Sequence, residues 1–208
     1  MNADTLRASV AGPAGALECA IDLPPGGAAH GVAVIAHPHP QFGGTMDNKV
    51  VQTLARALLQ LGWRSVRFNF RGVGRSEGAW NDGVGEVDDA LAVIAAQRIA
   101  GEPLLLAGFS FGGYVTAAAA ARLADGAKAE RIVLVAPSTQ KQSVAPVPAD
   151  SVVIHGETDD VVPLAATLDW ARPQALPVIV CPGVGHFFHG QLGLLKRLVV
   201  QQLLPLPS

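Results

Sequence analysis

Ser110 lies in the run Gly108-Phe109-Ser110-Phe111-Gly112, a spacing that can present a serine hydroxyl as a nucleophile. The preceding segment, Pro103 to Phe109, is short and apolar, so it reads as a buried strand. The following one, Phe111 to Ala124, is Ala-rich and reads as a helix, with Gly126 just past its end as a stop. A serine between the two must turn sharply, with a positive φ. Glycine at 108 and 112 removes the Cβ atoms that would strike the neighbouring strand and helix, and Gly113 extends that tolerance. The turn also places the first N–H groups of the helix around the attack point, where the dipole favours a developing anion. The competing reading is an ordinary glycine-rich turn between strand and helix.

A serine hydroxyl needs a base to take its proton, and the base needs a group to orient it. After such an elbow the acid follows along the chain and the histidine comes last. Six histidines compete, at 30, 37, 39, 155, 186 and 189, and only His186 and His189 follow the last strand. His186 sits in Pro182-Gly183-Val184-Gly185-His186-Phe187-Phe188, where the glycines allow a tight loop and the phenylalanines can anchor it. His189, beside Gly190, fits a solvated helix start, so His186 is the preferred base. The acid should leave the preceding strand, which ends in Val152-Val153-Ile154-His155-Gly156. Asp159 and Asp160 follow it, and adjacent residues cannot both face the histidine. Val161, Val162 and Pro163 must tuck back and fix the loop, which favours Asp159 and leaves Asp160 as a solvated charge. His155 reads as a structural hydrogen-bonding residue.

The elements that must hold these residues alternate. Thr5 to Val10 and Ala16 to Leu23 flank Gly12-Pro13-Ala14-Gly15 and read as a hairpin. Strands are then expected at Gly31 to Ala36, Arg64 to Phe70, Pro103 to Phe109, Arg131 to Ala136, Ser151 to His155 and Pro177 to Cys181. Helices are expected at Met46 to Leu61, at Val84 to Ile99 with Asn81 or Asp82 as cap, at Phe111 to Ala124, and from about Gln191 to Leu204, where Pro205 stops the last one. This gives an eight-stranded, mostly parallel α/β sheet with helices on both faces, the first two strands antiparallel. The 208 residues suit a single domain, 1–208.

Composition narrows the partners. Half the residues are apolar, 15% are charged, and Lys+Arg 15 nearly balances Asp+Glu 17. That excludes a disordered chain and offers no basic patch for nucleic acid. The start, MNADTLRASV, has no signal-peptide pattern, and no apolar run reaches the ~18 residues of a membrane helix. A cytoplasmic protein is therefore the expectation. Cys19 and Cys181 read as small buried side chains. Ser138-Thr139-Gln140-Lys141 fits S-x-x-K, but no Ser-Asp-Asn or Lys-Thr-Gly follows, so chance accounts for it. Gly72-Val73-Gly74 lacks the third glycine of a dinucleotide fingerprint. No His/Asp/Glu cluster has metal-ligand spacing, so neither metal nor cofactor is expected.

Five segments together carry a resemblance: His37-Pro38-His39-Pro40-Gln41-Phe42-Gly43-Gly44, Asn69-Phe70-Arg71-Gly72-Val73-Gly74-Arg75-Ser76, the elbow, His155-Gly156-Glu157-Thr158-Asp159, and Gly185-His186-Phe187. In this order they resemble the α/β-hydrolase superfamily, and most closely its small lidless bacterial members related to dienelactone hydrolases. Those enzymes carry a cysteine where this chain has Ser110, which shifts the expectation from lactone to ester chemistry. The resemblance implies an oxyanion hole made by the N–H of Phe111 and a second donor from the loop after the third strand. Pro38 and Pro40 have no N–H, which leaves His39, Gln41 and Phe42, and the likeness of Phe42-Gly43 to the dienelactone hydrolases points to Gln41. It also implies that a cap would enter after the sixth strand. Pro137 to Asp150 is too short for one, so an open, shallow site is expected. The expected activity is cleavage of small-molecule esters or thioesters through an acyl-enzyme by Ser110, His186 and Asp159. A peptidase or perhydrolase using the same three residues, or a non-catalytic binding module, are the alternatives. The oligomeric state and natural substrate stay open.

Overall fold

The computed structural model describes residues 5–204. One eight-stranded sheet forms its centre, in the order β1-β2-β4-β3-β5-β6-β7-β8. The strands are β1 (Leu6–Gly12), β2 (Gly15–Asp22), β3 (Val32–Ala36), β4 (Arg64–Phe68), β5 (Leu104–Phe109), β6 (Arg131–Val135), β7 (Val152–Gly156) and β8 (Ile179–Cys181). β2 is antiparallel to both neighbours, and all remaining pairs are parallel. The eight-stranded α/β expectation is met. β1 and β2 run to the glycines themselves, so only Pro13 and Ala14 form the hairpin turn.

Among the described residues five α-helices cover the sheet: α1 (Lys49–Gln60), α2 (Val84–Gln97), α3 (Phe111–Arg122), α4 (Leu164–Ala171) and α5 (Leu192–Leu203). Side chains alternate across β5, which decides the layers. Leu105, Ala107 and Phe109 share a buried cluster with Leu54 and Leu58 of α1 and Leu195 and Val199 of α5. Leu104 and Leu106 point to the opposite face, with Val93 of α2 and Val115 of α3. α4 covers a smaller patch through Ala171, against Ile132, Leu134 and Val153. β5 is buried along its whole length, as a central parallel strand covered on both faces must be.

Three local expectations are corrected. α2 is not capped by Asn81 or Asp82. Glu86 accepts from the N–H groups of Asn81 (3.0 Å) and Gly83 (2.8 Å), and the Asp82 carboxylate takes the Trp80 indole instead. Gly126 does not stop α3, which ends at Arg122; the glycine lies in a separate turn, Asp125–Ala127. α4 was not anticipated at all. Pro205, expected to stop the last helix, lies outside the described residues, as do the first four residues of the N-terminal segment.

Between β6 and β7 the chain holds two short turns and no helix or strand, so no cap covers the sheet there. Among the described residues no helix is long and apolar enough to cross a membrane.

Candidate active site

Ser110 stands between β5 and α3 with φ 56° and ψ −118°, a strained conformation for a residue with a side chain. The surroundings enforce it. A Cβ on Gly108 would come within 2.2 Å of the Gly112 carbonyl oxygen, and one on Gly112 within 2.3 Å of the Ala36 carbonyl oxygen. Only glycine lets strand, helix and the end of β3 approach this closely. The Ser110 N–H donates to the Val135 carbonyl (2.9 Å), and its carbonyl accepts from Ser138 (3.1 Å). The backbone is thus fixed on both sides, while the hydroxyl has no hydrogen-bond partner among the described residues.

The loops after β7 and β8 are stitched into one unit. The N–H of Glu157 donates to the Cys181 carbonyl and that of Thr158 to the Val184 carbonyl, both at 3.0 Å. Gly183 N–H returns a bond to the Glu157 carboxylate at 2.8 Å. From this unit, Asp159 Oδ2 meets His186 Nδ1 at 2.7 Å, with both side chains buried. Asp159 Oδ1 accepts from the N–H groups of Val161 (2.9 Å) and Val162 (2.7 Å). Burial alone would raise the Asp159 carboxyl, but these donors outweigh it and hold it below the usual carboxylate range. Asp159 is therefore an anion facing an imidazole N–H. Asp160 is exposed and makes none of these contacts.

Phe188 is fully buried beneath the His186 loop and anchors it, whereas Phe187 is 42% exposed. The His186 ring packs on Phe109 with centroids 4.8 Å apart. His189 is exposed and contacts only the Phe187 ring among the aromatic groups.

His155 lies fully buried behind the acid. Its Nε2 is 2.9 Å from the Val162 carbonyl and 3.4 Å from Asp159 Oδ2, and burial pushes its pKa down. A neutral ring donating to Val162 satisfies these contacts and keeps the acid loop closed.

The loop after β3 divides its two histidines. His37 is fully buried: Nδ1 donates to the Pro38 carbonyl (2.6 Å) and Nε2 accepts from Phe70 N–H (3.1 Å). His39 accepts the Gln41 N–H on its Nδ1 at 3.3 Å and packs its ring against Trp80, Phe42 and Phe111. This removes the ground for Gln41 as an oxyanion donor, because its N–H is occupied and its side chain is exposed. The N–H of His39 itself has no partner among the described residues. That of Phe111, in the first turn of α3, has no carbonyl four residues back to bond. Sequence reasoning could not see the bond within the loop that separates Gln41 from His39.

Ser110, His186, His39, Phe42, Lys141 and Phe187 share one cavity of about 280 Å³, at the carboxyl ends of the parallel strands. A larger cavity, about 1040 Å³, lies among His30, Trp63 and Arg131 at the opposite strand ends. It holds no nucleophile beside a base, and ligands of open α/β sheets bind at the carboxyl ends. The smaller cavity is therefore the candidate site. Its arrangement can deprotonate a hydroxyl and stabilise a developing anion. Among the described residues no group of His, Cys, Asp or Glu could hold a metal ion.

The family model of the serine aminopeptidases, S33, matches residues 28–175, which include Ser110 and Asp159 but stop short of His186. A serine hydrolase without lid from Xanthomonas campestris, XC6422, is 38% identical, with a TM-score of 0.87 over 100% of this chain and 99% of its own. An α/β serine hydrolase homologue from Coxiella burnetii is also 38% identical, with a TM-score of 0.83 over 98% and 99%. The protein RP471 of Rickettsia prowazekii is 31% identical over 140 residues; the match spans 63% of this chain and 58% of that relative's length.

Proposed function

Because the chain belongs to the serine aminopeptidase S33 family within the α/β hydrolases, we propose that it cleaves small esters or thioesters through an acyl-enzyme on Ser110. The observation that carries this reading is the 2.7 Å contact of Asp159 Oδ2 with His186 Nδ1. It leaves the other ring nitrogen of His186 without a partner in a cavity shared with Ser110. His186 takes the hydroxyl proton as Ser110 attacks the carbonyl carbon. The tetrahedral oxyanion accepts from the N–H groups of Phe111 and, in place of Gln41, His39. Each such donor contributes roughly 3 kcal/mol. Collapse breaks the bond to the leaving group, which receives the proton from His186. Water then attacks the acyl-enzyme by the same steps and frees Ser110. Asp159 holds the imidazole and stabilises its charged form.

The family's description favours peptide substrates with a free amino terminus as a second reading. A site for that ammonium group needs a carboxylate, and no Asp or Glu lines this cavity. Lys141 lines it instead, which repels a cation and favours the ester reading.

A fluorophosphonate probe should label Ser110 in the native protein, and p-nitrophenyl esters should be turned over. At about 280 Å³ the cavity falls at the small end of ligand sites. The specificity constant should therefore peak at acetate to butyrate. Labelling at another serine with Ser110 free would end the mechanism. A rise through octanoate would end the small-acyl reading.

A further inference from the structure

Three of the exposed large hydrophobic side chains of this protein, Phe42, Val161 and Phe187, line the cavity that holds Ser110. Phe42 is 76% exposed, which leaves a large apolar ring in water at the cavity rim. One full positive charge stands beside it. The Lys141 ammonium lies 5.3 Å from the centre of the Phe42 ring, and no carboxylate pairs with it among the described residues. Contact with the ring face holds the ammonium over the cavity without neutralising it. The other charge-capable groups lining the cavity are His39 and His186. Burial and the nearby Lys141 both push the His39 pKa down, so that ring is neutral.

The position of Lys141 is tied to the nucleophile. The Ser138 N–H donates to the Ser110 carbonyl (3.1 Å), and the Gln142 N–H donates to the Ser138 carbonyl (3.1 Å), closing the turn that carries Lys141. Downstream, the Val144 N–H returns to Gln142 (3.1 Å) and the Val144 carbonyl accepts the Trp170 indole (3.0 Å). The loop between β6 and β7, free of any cap, is thereby pinned at one end to the catalytic serine and at the other to α4.

From this juxtaposition we infer that Lys141 forms an anion subsite, and that the substrates are esters whose apolar body lies against Phe42 and Phe187 and which carry a carboxylate. The inference rests on the Ser110 hydrolase reading and deepens it. A carboxylate arriving here meets an unpaired ammonium beside two apolar rings, so its charge is only partly screened by water.

The test compares ester pairs that differ in charge. Phenyl hexanoate and monophenyl adipate vary the acyl half; methyl 4-acetoxybenzoate and 4-acetoxybenzoate vary the leaving half. For each pair the ratio of kcat/KM, anionic over neutral, is measured in the native protein and in Lys141→Met, so differences in intrinsic reactivity cancel. Lys141→Met should lower the ratio about three- to tenfold in at least one pair, and Lys141→Arg should restore it. Lys128→Met, at a lysine paired with Asp125 away from the site, should leave both ratios unchanged. Raising the salt from about 0.02 M to about 0.5 M should shrink the native ratio toward that of Lys141→Met. Ratios equal in native protein and Lys141→Met for both pairs would overturn the subsite while leaving the hydrolase intact. If no ester is cleaved, the hydrolase reading fails. Calorimetric titration of 4-acetoxybenzoate into Ser110→Ala, with and without Lys141→Met, then decides the subsite: weaker binding without Lys141 supports it, equal binding removes it.

Discussion

His37 and His186 are both buried, and both follow strands at the carboxyl end of the sheet, but their ring nitrogens are used differently. His37 has a partner on each side, the Pro38 carbonyl and the Phe70 N–H, and so locks the loop after β3 to the end of β4. Burial pushes its pKa down to about 3, against the pull of the Pro38 carbonyl, so the ring is neutral and inert. His186 has a carboxylate on one nitrogen and an open cavity at the other. The same contrast holds for the carboxylates. Asp89 gives both oxygens to Arg71 and is fully enclosed, while Asp159 holds a ring that can still move a proton. Buried polar groups clamp when every atom is paired, and they become chemically available when one is left facing a cavity.

Ser110→Ala tests the available side most severely. It should lower turnover by about 10⁴-fold or more, while thermal unfolding stays within ~1 kcal/mol of the native protein, since alanine removes only an unpartnered hydroxyl. Retained turnover would show that the serine is not the nucleophile. Asp159→Asn should cost about 10⁴-fold, because an amide favours the wrong tautomer of His186. Asp160→Asn should change the rate less than about twofold, as exposed substitutions generally do. A reversed ranking would move the acid by one residue.

On the clamped side the effect falls on stability. Asp89→Asn removes the carboxylate paired with the buried Arg71, and should destabilise by about 3–5 kcal/mol in denaturant unfolding. Turnover by the remaining folded protein should change little. A loss of turnover with normal stability would place Arg71 and Asp89 in the chemistry instead.

The smallest effect concerns acid. His37 and His155 both have folded pKa values below the ordinary 6.5. Above 6.5 neither state binds the extra proton. Below it the unfolded chain takes protons that the folded protein refuses, so stability falls as pH falls. The slope is roughly 1.4 kcal/mol per pH unit for each histidine. His37, held at about 3, should contribute nearly that full slope between about pH 6 and pH 4 in urea-unfolding experiments, and His155 adds to it in the same direction. His37→Gln should remove the His37 share of the slope, though it lowers the stability at neutral pH. An unchanged slope in that variant would show that His37 is protonated in the fold.

Much of this was legible in the residues. The elbow could be read because Gly108 and Gly112 meet backbone atoms that no Cβ could approach. Asp159 could be separated from Asp160 because Val162 returns to the core, 2% exposed with its N–H on Asp159, although Val161 and Pro163, expected to tuck back with it, are exposed. What escaped was local and conditional. α4 follows Pro163 with no side-chain cap and buries only Thr167 and Ala171, too short a pattern to stand out. The Glu86 cap reaches back to Asn81 from within the helix, whereas Asn81 and Asp82 carry the more familiar capping side chains. Gln41 was disqualified by a bond to a side chain two residues away, which sequence spacing does not reveal.

The stitching of the loops after β7 and β8 has a consequence for how the protein fails on heating. β8 is three residues long and pairs only with β7, at the edge of the sheet. An edge element of this size opens at a lower free energy than the buried centre. Because Glu157 and Thr158 are bonded to Cys181 and Val184, opening there carries His186 and Asp159 away together while Ser110 stays fixed beside β6. Hydrogen exchange at the amides of residues 157–158, 179–181 and 183–184 should therefore run in step, faster than at β5. Loss of fluorophosphonate reactivity should follow that exchange rather than global unfolding, so the inactivation temperature reports the edge of the molecule, several degrees before its core.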